Sequence, residues 1–430
     1  MKKAALHNLG CKVNAYETEA MQELLENNGY EIVPFQEGAD IYIINTCTVT
    51  NMADRKSRQM IHRARKMNPE AVIVAAGCYV QTGESGKELD PDIDIVIGNN
   101  QKQDLIRLLE EYENGKSEAG ELLDINHVRE YENLHLSKTG EHTRAYIKVQ
   151  DGCNQFCSYC IIPYVRGRIR SRKAEDVAEE IRGLVGLGYQ EVVLTGIHLS
   201  SYGMELEEKT SLLNLICQVH EIEGLKRIRL GSLEPRIITD EFAQTLASLD
   251  KICPHFHLSM QSGCDATLAR MNRKYTSEEY YEKCQILRKY FEHPALTTDV
   301  IVGFPGETEQ EFETTKKFIE KVDFYETHVF KYSKREGTLA AKMPDQVPEQ
   351  VKTLRSEQLI EISKRHQRTF ESWYQGKKVE VLVEKRSEEK GESYWIGHTR
   401  EYLKIALEGE ENLQNKIVMT EIESLSQIID

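Results

Sequence analysis

Arg144-Ala-Tyr-Ile-Lys-Val-Gln150 runs through Asp151-Gly152 into Cys153-Asn-Gln-Phe-Cys157-Ser-Tyr-Cys160, a strand-like stretch that delivers three thiols at spacings of three and two residues. The rest of the chain is ordered around it. Further strand candidates at 191–195, 227–231, 255–260, 298–303 and 326–332 alternate with helical stretches, which makes six βα units. Six such units fit a partial (β/α)6 barrel better than an open sheet of six strands. A charged helix predicted over 348–373 closes this region, placed at 140–370.

The thiol spacing itself points to metal. Three thiolates can hold three irons of a cubane and leave the fourth iron open, free to bind a small-molecule ligand. A structural zinc site wants four ligands in two pairs, and no fourth Cys or His lies just downstream. Ends of barrel strands are also where such folds place their chemistry.

Upstream, apolar runs at 4–9, 41–44, 72–76 and 93–97 alternate with amphipathic stretches at 17–28, 53–67 and 103–112, which predicts an open parallel α/β sheet over 1–115. Cys11, Cys47 and Cys78 each stand just past the C-terminal end of one of those strands. In a parallel sheet these ends share one edge, where α/β sheets bind ligands. Any one alone reads as a buried apolar cysteine; three equivalent placements read as ligands of a second cluster. Cys217, Cys253, Cys264 and Cys284 show no such pattern and read as core residues. Residues 114–142 are polar and aperiodic, a predicted linker. Short alternating runs at 379–383, 394–396, 403–406 and 417–420 predict a small β-barrel over 371–430.

Composition bounds the rest. At 430 residues with 40% hydrophobic and 29% charged residues, two or three domains are expected. No run approaches the roughly 20 apolar residues of a membrane span, so a cytoplasmic protein without a membrane partner is expected. The net charge of −15 opposes casual nucleic-acid binding, and any RNA contact must come from local basic patches. Two are candidates: Arg55, Lys56, Arg58, Arg63, Arg65 and Lys66 on one helix, and Arg166, Arg168, Arg170, Arg172 and Lys173. Either could position phosphates or be a solvated charge run. Tyr394, Trp395 and Tyr402 in the tail are base-stacking candidates or core. Period-2 alternation puts His257, Ser259 and Gln261 on one face, lining a cofactor pocket or forming an internal hydrogen-bond network.

The Cys-x3-Cys-x2-Cys motif with Tyr159 before its last cysteine resembles the radical S-adenosylmethionine (SAM) signature. Gly10-Cys11-Lys-Val-Asn14, Asn45-Thr-Cys47, Gly77-Cys78 and Gly152-Cys153 through Gly167-Arg-Ile-Arg-Ser-Arg172 resemble the methylthiotransferases of that superfamily over essentially the whole chain, with a tail similar to the RNA-binding TRAM barrel. The resemblance implies two [4Fe-4S] clusters, one on Cys153, Cys157 and Cys160 and one on Cys11, Cys47 and Cys78, with SAM, a tRNA substrate and a reducing electron donor. It further implies that Thr195 and Gly196 meet the methionine amino group, that Ser232 and Glu234 lie near the cofactor, that Val302 and Gly303 flank its adenine, and that Tyr159 and Gln261 belong to the same pocket. The most similar branch methylthiolates C2 of threonylcarbamoyladenosine at position 37 of tRNA, through a 5′-deoxyadenosyl radical from one SAM and a methyl group from a second. At the first cysteine the isopentenyladenosine branch reads Gly-Cys-Gln-Met-Asn and the ribosomal-protein branch Gly-Cys-Pro-Lys-Asn; Gly-Cys-Lys-Val-Asn departs from both. Alternatives are another tRNA adenosine, an aspartate of a ribosomal protein, or a non-catalytic RNA-binding protein with structural metal.

Overall fold

The computed structural model describes residues 1–82, 90–115, 122–137, 143–389 and 392–429. Its first layer is β1 (Lys3–Asn8), α1 (Lys12–Asn27), β2 (Glu31–Ile32), β3 (Ile41–Thr46), α2 (Asn51–Met67), β4 (Val72–Gly77), α3 (Cys78–Gln81), β5 (Ile95–Ile97) and α4 (Leu105–Glu113). The strands pair in the order β2-β1-β3-β4-β5, all parallel. Alternate side chains feed two cores: Ile43, Val74 and Ile97 meet Met21, Leu25 and Leu109 on one face, and Tyr42, Ile44 and Ile73 meet Ile61 and Ala64 on the other. Coverage of both faces is why β3 is buried along its whole length. Helix α1 begins at Lys12, earlier than its apolar periodicity indicates, because Asn14 and Glu17 in its first turns are polar yet buried.

The second layer comprises β6 (Arg144–Asp151), α5 (Ile162–Val165), β7 (Arg170–Ser171), α6 (Ala174–Gly186), β8 (Glu191–Gly196), α7 (Leu212–His220), β9 (Arg227–Leu230), α8 (Asp240–Ser248), β10 (His255–His257), α9 (Asp265–Arg270), α10 (Ser277–Tyr290), β11 (Ala295–Val302), α11 (Glu309–Val322), β12 (Glu326–Lys331) and α12 (Glu349–Ser372). Sheets β7-β6-β8-β9 and β10-β11-β12 are joined by parallel bridges Ile228–Ile252 and Leu233–Leu258, giving six parallel strands in chain order. The alternation of these strands is decisive. Ile147, Val149, Leu194, Ile228, Leu230, Phe256, Val300 and others pack outward beneath the helices, so the intervening Arg144, Lys148, Gln150, Glu191, Arg229, His255, His257, Asp299 and His328 turn inward. The lumen is polar. Alternation continues past His257, because Leu258 and Met260 join Phe256 in the same outer core and leave His257 and Ser259 on the opposite face, and the regular strand gives way at Gln261, which adopts φ +70° and bridges to Val300.

The tail forms β13 (Lys378–Glu389), β14 (Glu392–Thr399), β15 (Lys404–Leu407) and β16 (Ile417–Glu421). These strands pair antiparallel in the order β15-β14-β13-β16, and the chain beyond β16 returns to β15 through the antiparallel bridge Ile405–Ile428. Its apolar residues Val381, Val383, Trp395 and Ile405 are covered by Ala295, Tyr325, Phe370 and Tyr374 from the barrel base and the end of α12. Arg227 donates to the carbonyls of Glu380 and His398, and Arg229 to those of Thr399 and Arg400, so the sheet seals the N-terminal end of the lumen. The predicted linker is also more than a connector: Leu134 and Leu136 pack on Tyr16 and Ala20 of α1, while its residues 116–121 and 138–142 lie outside the described residues. Among the described residues no helix is long and apolar enough to cross a membrane.

One buried charge cluster joins the two layers. Glu17 of α1 accepts from Lys148 Nζ at 2.7 Å and from Arg166 Nη1 at 2.8 Å, with Lys102 Nζ at 3.3 Å. Lys148 also pairs with Asp151 at 2.7 Å, and Arg166 Nη2 donates to Asn14 Oδ1 at 2.7 Å. Arg166, Lys102 and Lys148 hold the Glu17 carboxyl well below the usual range despite burial. The near-isosteric Glu17→Gln strands those cations without a counter-charge, so a loss of about 3–5 kcal/mol is expected, read as a lowered midpoint in denaturant unfolding.

Candidate active site

Strand ends place the first three thiols together. Cys11 caps α1, Cys47 follows β3 and Cys78 opens α3 directly after β4. Gly10, at φ +116°, makes the approach possible: a Cβ there would stand 3.1 Å from Cys47 Cβ and 3.3 Å from its Sγ. Asn14 Nδ2 donates to Leu9 O at 2.8 Å and Thr46 O at 3.0 Å, tying the ends of β1 and β3. Asn99 Nδ2 donates to Cys78 Sγ at 3.6 Å and to Val165 O at 2.7 Å. Burial pushes the Cys47 thiol up to about 11, and the charges of Cys78 and Cys11 add to the rise; burial raises Cys11 too, against the pull of Arg166. The three thiols share one electrostatic site.

The second triad sits at the C-terminal end of β6. Gly152 and Gly167 both take φ +70°, and a Cβ on Gly152 would lie 1.8 Å from Arg168 O. That contact folds the chain back so that Cys153 N–H donates to Gly167 O at 3.0 Å. Gln155 N–H donates to Cys153 Sγ at 3.4 Å, and Arg273 Nη1 to Cys157 Sγ at 3.3 Å. Burial raises Cys153 to about 11 and Cys160 to about 12. Cys78 packs against Ile161 and Val165, just beyond Cys160, so the two triads adjoin.

Both triads fit the ligand chemistry of an iron-sulfur cluster. A tetrahedral zinc ion would draw thiolates to about 3.8 Å of one another. Among the described residues, the trios whose ligand atoms lie within 4.8 Å are His257–Asp299–His328 and His62–Asp90–Asp92, and neither cysteine triad is among them. The Arg273 donor on Cys157 and the Asn99 donor on Cys78 suit sulfurs that carry thiolate charge against a metal.

The other expected pocket residues gather at the same rim. Thr195 and Gly196 end β8, with Gly196 against the Gln150 side chain, whose Oε1 accepts from His198 N–H at 2.7 Å. Ser232 is exposed and Glu234 buried beside Arg236. Tyr159 packs edge-on to Phe304. Gly303, at φ +71°, donates its N–H to Glu307, whereas the Val302 side chain points outward into the helix-side core, leaving only backbone toward the pocket.

The basic run at 166–173 is corrected. Arg166, Arg170 and Arg172 are fully buried, Arg172 on Glu180 and His135, so that only Lys173 is exposed and Arg168 half-buried over Phe156. The α2 patch stays on the surface except for Arg65, which is tied to Asp94 at 2.6 Å. In the tail, Trp395 is core and Tyr402 is clamped between Arg144, Arg229 and His255; neither is free to stack on a base, and Tyr394 is half-buried. Sequence reasoning missed Arg273 and Asn99, whose positions carry no periodic or motif signal of their own.

Residues 3–98 match the profile of Uncharacterized protein family UPF0004, and residues 147–319 that of the radical SAM superfamily. A Bacillus subtilis (strain 168) protein, threonylcarbamoyladenosine tRNA methylthiotransferase MtaB, is 43% identical over 98% of this chain and 94% of its own length. The chain belongs to the radical SAM methylthiotransferase family. An Aquifex aeolicus (strain VF5) family member with the same name is 38% identical over 89% of this chain and 92% of its own. A Carboxydothermus hydrogenoformans member, tRNA-2-methylthio-N(6)-dimethylallyladenosine synthase, is 38% identical over 96% and 94%. Among solved structures, the fold is similar to that of the radical SAM methyltransferase TsrM from Kitasatospora setae, with a TM-score of 0.55 and 15% identity over 77% of this chain and 72% of that one. Membership of the radical SAM superfamily brings a [4Fe-4S] cluster and SAM.

Gly152→Ala puts a methyl group into the Arg168 carbonyl in a left-handed conformation. A loss of at least about 2 kcal/mol is expected, visible as a lower melting temperature, and a variant as stable as wild type would contradict the loop geometry.

Proposed function

We propose that this protein methylthiolates C2 of N6-threonylcarbamoyladenosine at position 37 of tRNA. The observation that carries the reading is the 43% identity to the Bacillus subtilis enzyme over 98% of the chain, supported by six cysteines in two adjoining triads. In this reading Cys153, Cys157 and Cys160 hold the SAM-cleaving cluster and Cys11, Cys47 and Cys78 a second one. Residues 1–115 carry the second site, 140–370 the SAM chemistry and 371–430 a surface for RNA, in a cytoplasmic enzyme fed by a reducing electron donor.

Bound on these triads, such clusters supply one-electron reduction of SAM to a 5′-deoxyadenosyl radical and a source of sulfur for C2, whose C–H is unactivated toward acid-base attack. The chain's own residues do the rest. Arg273, braced by Tyr275 and Ser259 O, places a fixed positive charge on Cys157. Asn99 couples Cys78 to the chain following Cys160 through Val165 O. Thr195, Glu234 and Gln261 offer polar groups at the rim for the methionine and ribose parts of SAM, while Gln150, bonded to Asp151 O, Gly152 O and His198 N–H, braces that rim. Arg55, Lys56, Arg58 and Arg63 present exposed positive charge on α2, the helix whose Ser57 hydroxyl bonds the Cys47 backbone, suited to anticodon-stem phosphates in an otherwise acidic protein.

Nucleoside mass spectrometry of tRNA from cells with and without the gene tests the reading. Loss of the 2-methylthio derivative on deletion is expected, with recovery by wild type but not by Cys11→Ala or Cys153→Ala. An unchanged nucleoside profile sinks it. Anaerobically reconstituted protein should hold about eight irons, and about four when either triad is replaced by alanines.

A further inference from the structure

The polar lumen holds three side chains that the chemistry above does not use. His257 stands on β10, Asp299 on β11 and His328 on β12. Register brings them together: His257 pairs with Thr297 and Asp299 with His328, so the period of two sets all four on the inward face of three parallel strands. One ligand atom from each of His257, Asp299 and His328 lies within 4.8 Å of the other two. His257 Nε2 is 3.2 Å from Asp299 Oδ2, close to the separation of roughly 3.3 Å between two ligands of a tetrahedral ion whose bonds are about 2.0–2.1 Å long.

Hydrogen bonding distinguishes this trio from an ordinary ion pair. His257 Nε2 is shielded from water and forms no hydrogen bond with any described residue, although the carboxylate is so near. Asp299 therefore stands beside the ring nitrogen and off its axis, where a neighbouring ligand of a shared ion belongs. Nδ1 of the same ring has its own partner, Thr297 Oγ1 at 3.0 Å, and Nδ1 of His328 stands 3.4 Å from Glu326 Oε1. Metal-bound imidazoles are held in this way, with one nitrogen against an oxygen and the other left bare. The second trio, His62, Asp90 and Asp92, lacks these features: its histidine is half exposed, and His62 Nε2 is already bonded to Asp90 at 2.7 Å.

We propose that His257, Asp299 and His328 bind a divalent metal ion in the lumen. Two imidazoles and one carboxylate, with no thiolate, form a nitrogen and oxygen set that suits zinc and differs in kind from the cysteine sites. Three protein ligands leave at least one coordination position open, as in catalytic zinc sites. That position faces the lumen and takes an oxygen donor, either water or a carboxylate.

The test is zinc binding to the full chain after anaerobic reconstitution, with iron and zinc counted by elemental analysis after equilibrium dialysis against micromolar zinc chloride. Wild type should hold about one zinc beyond its irons, and the near-isosteric His257→Gln and Asp299→Asn should lose it at unchanged iron content. Each should weaken binding at least about a hundred-fold, and Thr297→Val, which removes only the partner of His257 Nδ1, about ten-fold. Comparison at equal iron makes any cysteine left without iron a constant background. A chain with about four irons in place of eight would thus revise the cluster reading and leave this test intact. Wild type without zinc at micromolar concentration overturns the inference. So does zinc that stays in both variants, which would place it on cysteines or on the His62 trio. X-ray absorption at the zinc edge of wild type gives an answer that needs no variant: nitrogen and oxygen at about 2.0–2.1 Å are expected, and sulfur at about 2.3 Å overturns the site.

Discussion

The carboxylate of Glu17 is the constraint on which the arrangement of the two halves depends. It stands on the helix that begins at Cys11, and it is gripped by Lys148 from the first barrel strand and by Arg166 from the loop beyond Cys160. Every partner is out of water, so each would be costly if left alone. A cluster of this kind adds little net stability over apolar packing, but it tolerates only one register between α1 and β6. Because both triads hang from these same segments, that register also sets how the Cys11 site faces the Cys153 site.

Much of this architecture was legible in the sequence because strands of covered parallel sheets read as short apolar runs, and three such runs end in cysteine. The six barrel units were legible for the same reason. What stayed hidden was the pairing of charge. Arg166, Arg170 and Arg172 read as a basic surface because a sequence shows the cations and not which carboxylates meet them: Glu17 comes from far upstream, and Asp151 and Glu180 reach them only through the fold. The polar first turns of α1 concealed its start for the same cause. The tail was legible as a small β unit because its alternation is that of strands with one buried face; that the face is covered by α12 and the barrel base is long-range information.

The same alternation that built the outer core created the polar lumen. With Ile147, Leu194, Ile228 and Val300 committed to the helices, the other set of each strand could be charged at no cost to the core, provided the charges met one another. Glu191 does this for Arg229 and Arg227, and the tail carbonyls complete the set.

The tail sheet, by filling the base of the barrel, turns a tube into a vessel with its opening at the cysteine-bearing rim. Traffic is thereby ordered: a bulky polymer seated across that rim and the small molecules consumed beneath it compete for one passage. In the function proposed above, cofactor and nucleic acid approach from the same rim, so the residence time of the polymer bears on the pace of repeated turnover as bond cleavage does.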